Sequence, residues 1–60
     1  MKRKILIVED NIGLSQMQKD WFAQAGYDAV TAMNEPVARS LIRKTAFDLI
    51  LSDVRLPEGD

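Results

Sequence analysis

The sequence predicts an α/β fold, a three-stranded parallel sheet of order 2-1-3 with helices on both faces. Two short apolar runs, residues 5–8 and 49–51, lack alternation with polar residues, which is typical of strands buried on both faces. Both runs lead into carboxylates. Helix-period segments separate the strands, and this alternation of strand and helix indicates parallel pairing through helical crossovers.

The first half of the chain predicts a strand, a helix and a second strand. Residues 5–8 form the first strand, and a helical period begins at Ile12. Gly26 occupies the position where a helix commonly stops in a left-handed conformation. The apolar side chains of this helix share one face: Leu14, Met17, Trp21, Phe22 and Ala25. We interpret that face as core packing rather than a cofactor site. Residues 27–33 predict a weaker strand at the sheet edge.

The second half predicts a helix and a third strand. Asn34 is the expected N-cap, with Glu35 at the positive end of the helix dipole and Pro36 in the first turn. The apolar residues expected on one face are Val37, Ala38, Leu41, Ile42 and Thr45. We expect Arg39, Arg43 and Lys44 to lie in solvent. If the first strand is central, right-handed crossovers place the two helices on opposite faces, which gives the order 2-1-3.

Composition narrows the possible functions. Sixty residues make one small domain, 1–60, which buries only about 60% of its unfolded surface. The chain has no cysteine, which fits a reducing compartment. A net charge of −1 gives no field that would favour nucleic acid or an anionic membrane. The apolar run behind the basic residues 2–4 is too short for a signal peptide or a membrane span, so we expect a cytoplasmic location.

Three carboxylates are expected to converge where the first and third strands end. Glu9 and Asp10 follow the first strand and Asp53 follows the third, at the edge where open α/β sheets bind ligands. Such anions repel one another unless a cation lies between them. Mg²⁺ suits an all-oxygen site of this kind, and the main-chain carbonyl of Arg55 could reach it. The alternative is that these acids simply begin loops. Asn11 reads as a helix N-cap rather than a ligand.

The same arrangement suits phosphoryl transfer. An aspartate can form a covalent phosphoryl intermediate, and Asp53 at a strand end is a competent acceptor. A divalent cation would neutralise the charge of the incoming group. Positioning and charge stabilisation are the main requirements of this chemistry.

Residues 5–11 and 48–60 together resemble the receiver domain of two-component response regulators, and the resemblance extends over all 60 residues. It implies half of a flavodoxin-like doubly wound fold whose complete strand order is 2-1-3-4-5. It also implies that Asp53 accepts phosphate from a sensor histidine kinase, and that the phosphorylated domain controls a downstream output, which we expect to be transcription. Such a domain acts in signalling and is not an enzyme. Asp10 and Asp53 would bind Mg²⁺ directly, Glu9 through water, and Arg55 by its carbonyl.

The chain departs from the complete family pattern in two ways. Glu9 stands where many relatives have Asp. The resemblance is to the N-terminal half alone, without the later Ser/Thr, Lys and switch aromatic, so we expect impaired signalling. Residues 53–60 are similar to regulators with an ATPase module of the sigma-54-activator type. We also expect a homodimer through the unpaired third-strand edge, and neither nucleic-acid nor membrane binding by this segment.

Other functions remain as alternatives. The chain could be a self-associating half-domain without phosphotransfer activity. A phosphatase of the haloacid dehalogenase type also has an Asp after a strand, but that family requires a second Asp at the position of Arg55. A dinucleotide-binding half is disfavoured because residues 9–13 lack the glycine-rich loop and place acids where a pyrophosphate would lie.

Overall fold

The computed structural model describes residues 2–52, which form a parallel sheet with two helices. Its elements are β1 (Lys4–Val8), α1 (Ile12–Gln24), β2 (Asp28–Ala32), α2 (Glu35–Lys44) and β3 (Leu49–Ser52). The strand order is β2-β1-β3, and β1 pairs in parallel with both neighbours. The fold class and strand order predicted from the sequence are therefore confirmed, including the edge position of the second strand.

The register fixes which residues share a face of the sheet. Leu6 pairs with Val30 on one side and with Ile50 on the other. Val8 pairs in the same way with Ala32 and Ser52. Because directly paired residues of parallel strands point to the same side, these six side chains lie on one face.

That face carries the main hydrophobic core, which packs under α2. Its buried members are Leu6, Val8, Ala32 and Ala38, and half-buried Val30, Leu41 and Phe47 pack against them. Ile5 and Ile7 alternate to the opposite face and are also buried. The helix α1 contacts β1 and β2 without touching α2 in the described part of the chain, which places the helices on opposite faces. The central strand β1 is thus covered on both sides.

The end of α1 is a Schellman motif. The Gly26 N–H donates to the Ala23 carbonyl at 3.0 Å, and the Tyr27 N–H donates to the Phe22 carbonyl at 2.9 Å. Gly26 has a φ of 95°, so the left-handed stop predicted at this glycine is confirmed. The rings of Phe22 and Tyr27 meet edge to face, with centroids 5.5 Å apart, and supply the apolar contact that accompanies this motif.

The start of α2 also agrees with the sequence. Asn34 Oδ1 accepts a hydrogen bond from the Val37 N–H at 3.0 Å, and Pro36 lies in the first turn. Arg39 forms an exposed ion pair with Glu35 one turn away, at 3.1 Å. Such a pair contributes about 0.3–0.5 kcal/mol, so the cap is the stronger of the two local contributions.

The prediction that the apolar face of α1 is core packing was wrong for most of that face. Leu14, Met17 and Trp21 are 36%, 55% and 69% exposed. We call these three residues the α1 stripe. The more buried face of the helix carries Ser15, Gln18 and Phe22 instead, each offset by one residue from the stripe, or about 100° around the axis. The Phe22–Tyr27 contact accounts for this rotation, because it holds Phe22 against the loop that enters β2.

The third strand is less buried than its apolar sequence predicts. Leu49 is 44% exposed and Ile50 54%, although both were expected in a strand covered on two faces. The cause is the position of the helices, since both pack on β1 and β2 and neither packs on β3 within residues 2–52. For the same reason Val37 and Ile42 of α2 remain 43% and 44% exposed.

Candidate functional site at the carboxyl edge of the sheet

The strands β1 and β3 end at the same edge of the sheet. Val8 and Ser52, their last residues, are paired. Beyond Val8 the ladder with β2 continues for one further bond, because the Glu9 N–H donates to the Ala32 carbonyl at 2.9 Å. This bond fixes the backbone of Glu9 at the end of the central strand.

The side chain of Glu9 is buried, which is unusual for a carboxylate. The residue is only 4% exposed, the one buried charged residue in the described part of the chain. Its Oε2 accepts a hydrogen bond from the Asn11 N–H at 3.0 Å. Its Oε1 is buried and makes no hydrogen bond within residues 2–52. An unpaired buried polar atom is costly, about 1–3 kcal/mol and more when it is charged, so this oxygen calls for a cationic or hydrogen-bonding partner.

Asp10 and Asn11 follow in the loop between β1 and α1. Asp10 is exposed. Asn11 is the N-cap of α1, and its Oδ1 accepts from the Leu14 N–H at 2.9 Å, as the sequence predicts. Sequence reasoning did not anticipate that the backbone of Asn11 also binds Glu9, because no pattern of residue types signals a carboxylate folding back on its own loop.

The remaining predicted site residues, Asp53 and Arg55, lie outside the described residues. Among residues 2–52 no group of three or more His, Cys, Asp or Glu side chains is placed to hold a metal ion. The residues that are described nevertheless fit Mg²⁺. Their donors are carboxylate oxygens, and the unpaired Oε1 of Glu9 is one that a hard cation or its bound water could satisfy.

A groove opens beside this edge, between α2 and β3. It has a volume of about 300 Å³. We call it the α2–β3 groove; its lining consists of Val8, Glu35, Ala38, Arg39, Ile42, Ile50 and Ser52. The walls are mainly apolar and the charged Glu35 and Arg39 are paired with each other. This surface suits an apolar contact better than the binding of a charged substrate.

At the amino-terminal ends of β1 and β3, the carboxylate of Asp48 has a structural role. Asp48 Oδ2 accepts from the Lys4 N–H at 2.8 Å, and the Asp48 N–H donates to the Lys4 carbonyl at 2.8 Å. This reciprocal pair closes the ladder between β1 and β3, which explains Asp48 as a structural residue.

Neither helix of residues 2–52 combines the length and apolar character that crossing a bilayer requires.

Comparison with known families agrees with this architecture. Residues 5–60 match the response regulator receiver domain. The chain therefore belongs to the receiver domain family of two-component response regulators. Receiver domains are signalling domains rather than classical enzymes; they act with histidine kinases and generally bind Mg²⁺ for phosphorylation.

Several curated proteins are similar to the chain. Sporulation initiation phosphotransferase F of Bacillus subtilis is 35% identical over 60 residues, which is 100% of this chain and 48% of that protein. The transcriptional regulatory protein CrdR of Helicobacter pylori is 34% identical over 58 residues, 97% of this chain and 27% of that protein. The response regulator protein PilR of Pseudomonas aeruginosa is also 34% identical over 58 residues, 97% of this chain and 13% of that protein. The chain thus spans less than half the length of these relatives. No solved structure gives a significant match.

Proposed function

We propose that this chain carries the phosphoacceptor site of a response regulator, with Asp53 as the residue that takes phosphate from a sensor histidine kinase. The observation that carries the proposal is the carboxyl edge of the sheet. There β1 and β3 end in register at Val8 and Ser52, and Glu9 holds a buried carboxylate oxygen that has no hydrogen-bond partner among residues 2–52. The residue that follows Ser52 in sequence is Asp53.

Asp10 and Asp53 are the proposed direct ligands of Mg²⁺, with the carbonyl of Arg55 as a further ligand and Glu9 acting through water. The burial of Glu9 and the bond from the Asn11 N–H to its Oε2 support an indirect role, since among residues 2–52 its Oε1 alone is left without a partner and could accept from a metal-bound water. When bound, the metal would neutralise charge on the transferred phosphoryl group. The transfer itself forms a bond from an Asp53 carboxylate oxygen to phosphorus and breaks the phosphorus–nitrogen bond to the kinase histidine, which takes up a proton.

The phosphorylated domain is proposed to control transcription through a separate output region, in the cytoplasm. Relatives named as transcriptional and response regulators support this output. The absence of cysteine fits a reducing compartment.

Mn²⁺ line broadening tests the metal site. In amide NMR spectra of the 60-residue chain, Mn²⁺ should broaden the resonances of Glu9, Asp10 and Asn11 before others, in competition with Mg²⁺. The Asp53→Ala variant should lose this effect. Asp28→Ala is the matched control, because Asp28 is exposed at the opposite end of β2. Broadening that survives Asp53→Ala would contradict the proposed ligand set.

Acetyl phosphate, a small phosphodonor, tests the acceptor. With Mg²⁺ present, intact mass should increase by one phosphoryl group in the parent chain and in Asp28→Ala, but not in Asp53→Ala. Phosphorylation of Asp53→Ala at the same rate would refute the assignment of the acceptor.

A second candidate function is self-association, as a symmetric homodimer that buries the β3 edge. The exposure of Leu49 and Ile50 and the adjoining α2–β3 groove favour it. An edge strand with unpaired backbone groups and apolar side chains is a template for pairing with another chain. The symmetric arrangement follows from the preference of homodimers for twofold interfaces.

Sedimentation over a wide concentration range tests this second function. Ile50→Glu should give a monomer at concentrations where the parent chain is a dimer. Met33→Glu is the matched control, because Met33 is also 54% exposed but lies after β2 rather than on β3. A parent chain that stays monomeric throughout, or an equal effect of the two substitutions, would exclude a dimer through β3.

A further inference from the structure

A continuous set of hydrogen bonds joins the acidic loop to the first turn of α1, and all of it passes through Asn11. The Asn11 N–H donates to Glu9 Oε2 at 3.0 Å. Its side-chain Oδ1 accepts from the Leu14 N–H at 2.9 Å, and its carbonyl accepts from the Ser15 N–H at 2.8 Å. The backbone N–H of Asn11 therefore holds a carboxylate of the proposed metal site, while its side-chain and backbone oxygens hold the first turn of α1.

The Asn11 bond determines which part of Glu9 is available to a ligand. Because Oε2 is bound to the Asn11 N–H, the buried Oε1 is the oxygen left without a partner in the described residues. The carboxylate is also held at the positive end of the α1 dipole, which favours a fixed anion there. Movement of Asn11 would release the carboxylate, and movement of the carboxylate would disturb the cap.

We propose that Asn11 is a positioning residue that couples the acidic loop to α1, so that a divalent cation held directly by Asp10 and through water by Glu9 orders the first turn of the helix. This inference rests on the metal site proposed above. Coupling between two equilibria is reciprocal, so loss of the Asn11 cap must weaken cation binding. Substitution of a residue that orients a metal ligand by a hydrogen bond typically lowers metal affinity by 10- to 100-fold. We expect about tenfold here, because Asn11 acts through Glu9.

The coupling extends to the exposed surface of α1. Leu14, whose amide is bound by the Asn11 side chain, is also the first residue of the α1 stripe. Cation occupancy at the sheet edge would thus determine how firmly the beginning of that apolar surface is held. The cap of α2 offers a comparison, because Asn34 Oδ1 accepts from the N–H three residues on, that of Val37, at 3.0 Å, while the Asn34 backbone N–H has no bond to a carboxylate within residues 2–52.

Amide hydrogen exchange with and without saturating Mg²⁺ tests the inference. Exchange at Asn11 and Leu14 should slow about tenfold with Mg²⁺, while exchange at Val37 should not change. The Mn²⁺ broadening experiment is run on the same sample to report binding separately. Broadening near Glu9 without slower exchange at Asn11 and Leu14 overturns the coupling and leaves the metal site standing. Absence of broadening overturns both.

Substitutions give the reciprocal test. Asn11→Ala keeps the backbone bond to Glu9 but removes the cap, and should weaken Mg²⁺ binding by about tenfold. Asn11→Ser restores a capping oxygen and should restore affinity. Asn34→Ala removes an equivalent cap from α2 and controls for a general loss of stability. The inference is overturned if Asn11→Ala binds Mg²⁺ as tightly as the parent chain, or if Asn34→Ala weakens binding equally.

Discussion

Replacing Leu6 with alanine should remove much of the stability of the fold. Leu6 is 0% exposed, on the central strand and within the core under α2. Truncating a fully buried leucine costs about 3–5 kcal/mol, through lost transfer energy and the cavity that remains. A chain of 60 residues has a total free energy of unfolding of about 3–9 kcal/mol. Leu6→Ala should therefore be close to unfolded.

The comparison is Ile50→Ala on the same sheet face. Ile50 pairs directly with Leu6 but is 54% exposed. Only about half of the Ile50 side chain is buried, so its truncation removes only about half of the transfer free energy, and solvent fills the space that is left. We therefore expect the free energy of unfolding of the monomer to fall by about 1 kcal/mol. If β3 pairs with a second copy, this loss should grow with protein concentration.

Urea unfolding followed by far-UV circular dichroism measures both effects. For a small domain the free energy falls by about 1 kcal/mol per molar urea, so midpoints should differ by several molar units between the two variants. The measurement is made at low protein concentration, where association does not contribute. Equal midpoints for Leu6→Ala and Ile50→Ala would refute a core centred on β1 and a poorly covered β3.

Three further predictions follow from local geometry. Gly26→Ala should lower the free energy of unfolding by about 1–2 kcal/mol, because a φ of 95° disfavours a side chain even though the space around it is open. Gly13→Ala should raise it by up to about 0.5–1 kcal/mol, because the added Cβ would meet Asn11 Oδ1 at an ordinary 3.5 Å. Urea midpoints that move in the same direction for both variants would contradict this. Asn34→Ala should lower the melting temperature by about 4–8 °C through loss of about 1 kcal/mol, and Asn34→Asp should preserve it. The fluorescence maximum of Trp21, which is 69% exposed, should barely change on unfolding of the monomer, and a large red shift would place it in the core.

The order of elements and the ends of the helices could be predicted because local chemistry determines them. Asn11 and Asn34 offer capping oxygens, and Gly26 permits the left-handed stop. The unbroken apolar run at 5–8 signals a strand buried on both sides. These signals depend on a few neighbouring residues, so they remain valid without knowledge of the tertiary contacts.

Burial could not be predicted to the same extent, because it depends on where whole helices lie. The spacing of Leu14, Met17 and Trp21 correctly indicates a helix, but spacing does not show which face meets the sheet. The edge-to-face contact of Phe22 with Tyr27 decides that rotation. The candidate site stays a prediction, and the structure describes only its first part. Its acids follow from strand ends, whereas the burial of Glu9 and its bond from Asn11 depend on the folded loop.

The central position of β1 also constrains how the chain folds. Its ladders join Lys4 to Asp28 and Ile5 to Leu49, so the strand has no partner nearby in sequence. Each pairing must wait for an intervening helix to bring the next strand back, and closing the longer loop to β3 costs more chain entropy. We infer that β1, α1 and β2 assemble first and that β3 joins afterwards. Within residues 2–52, the pairing that brings Ser52 beside Val8 is then the last of the two ladders to form, so the two strand ends of the proposed acidic site come together only after β1, α1 and β2 have assembled.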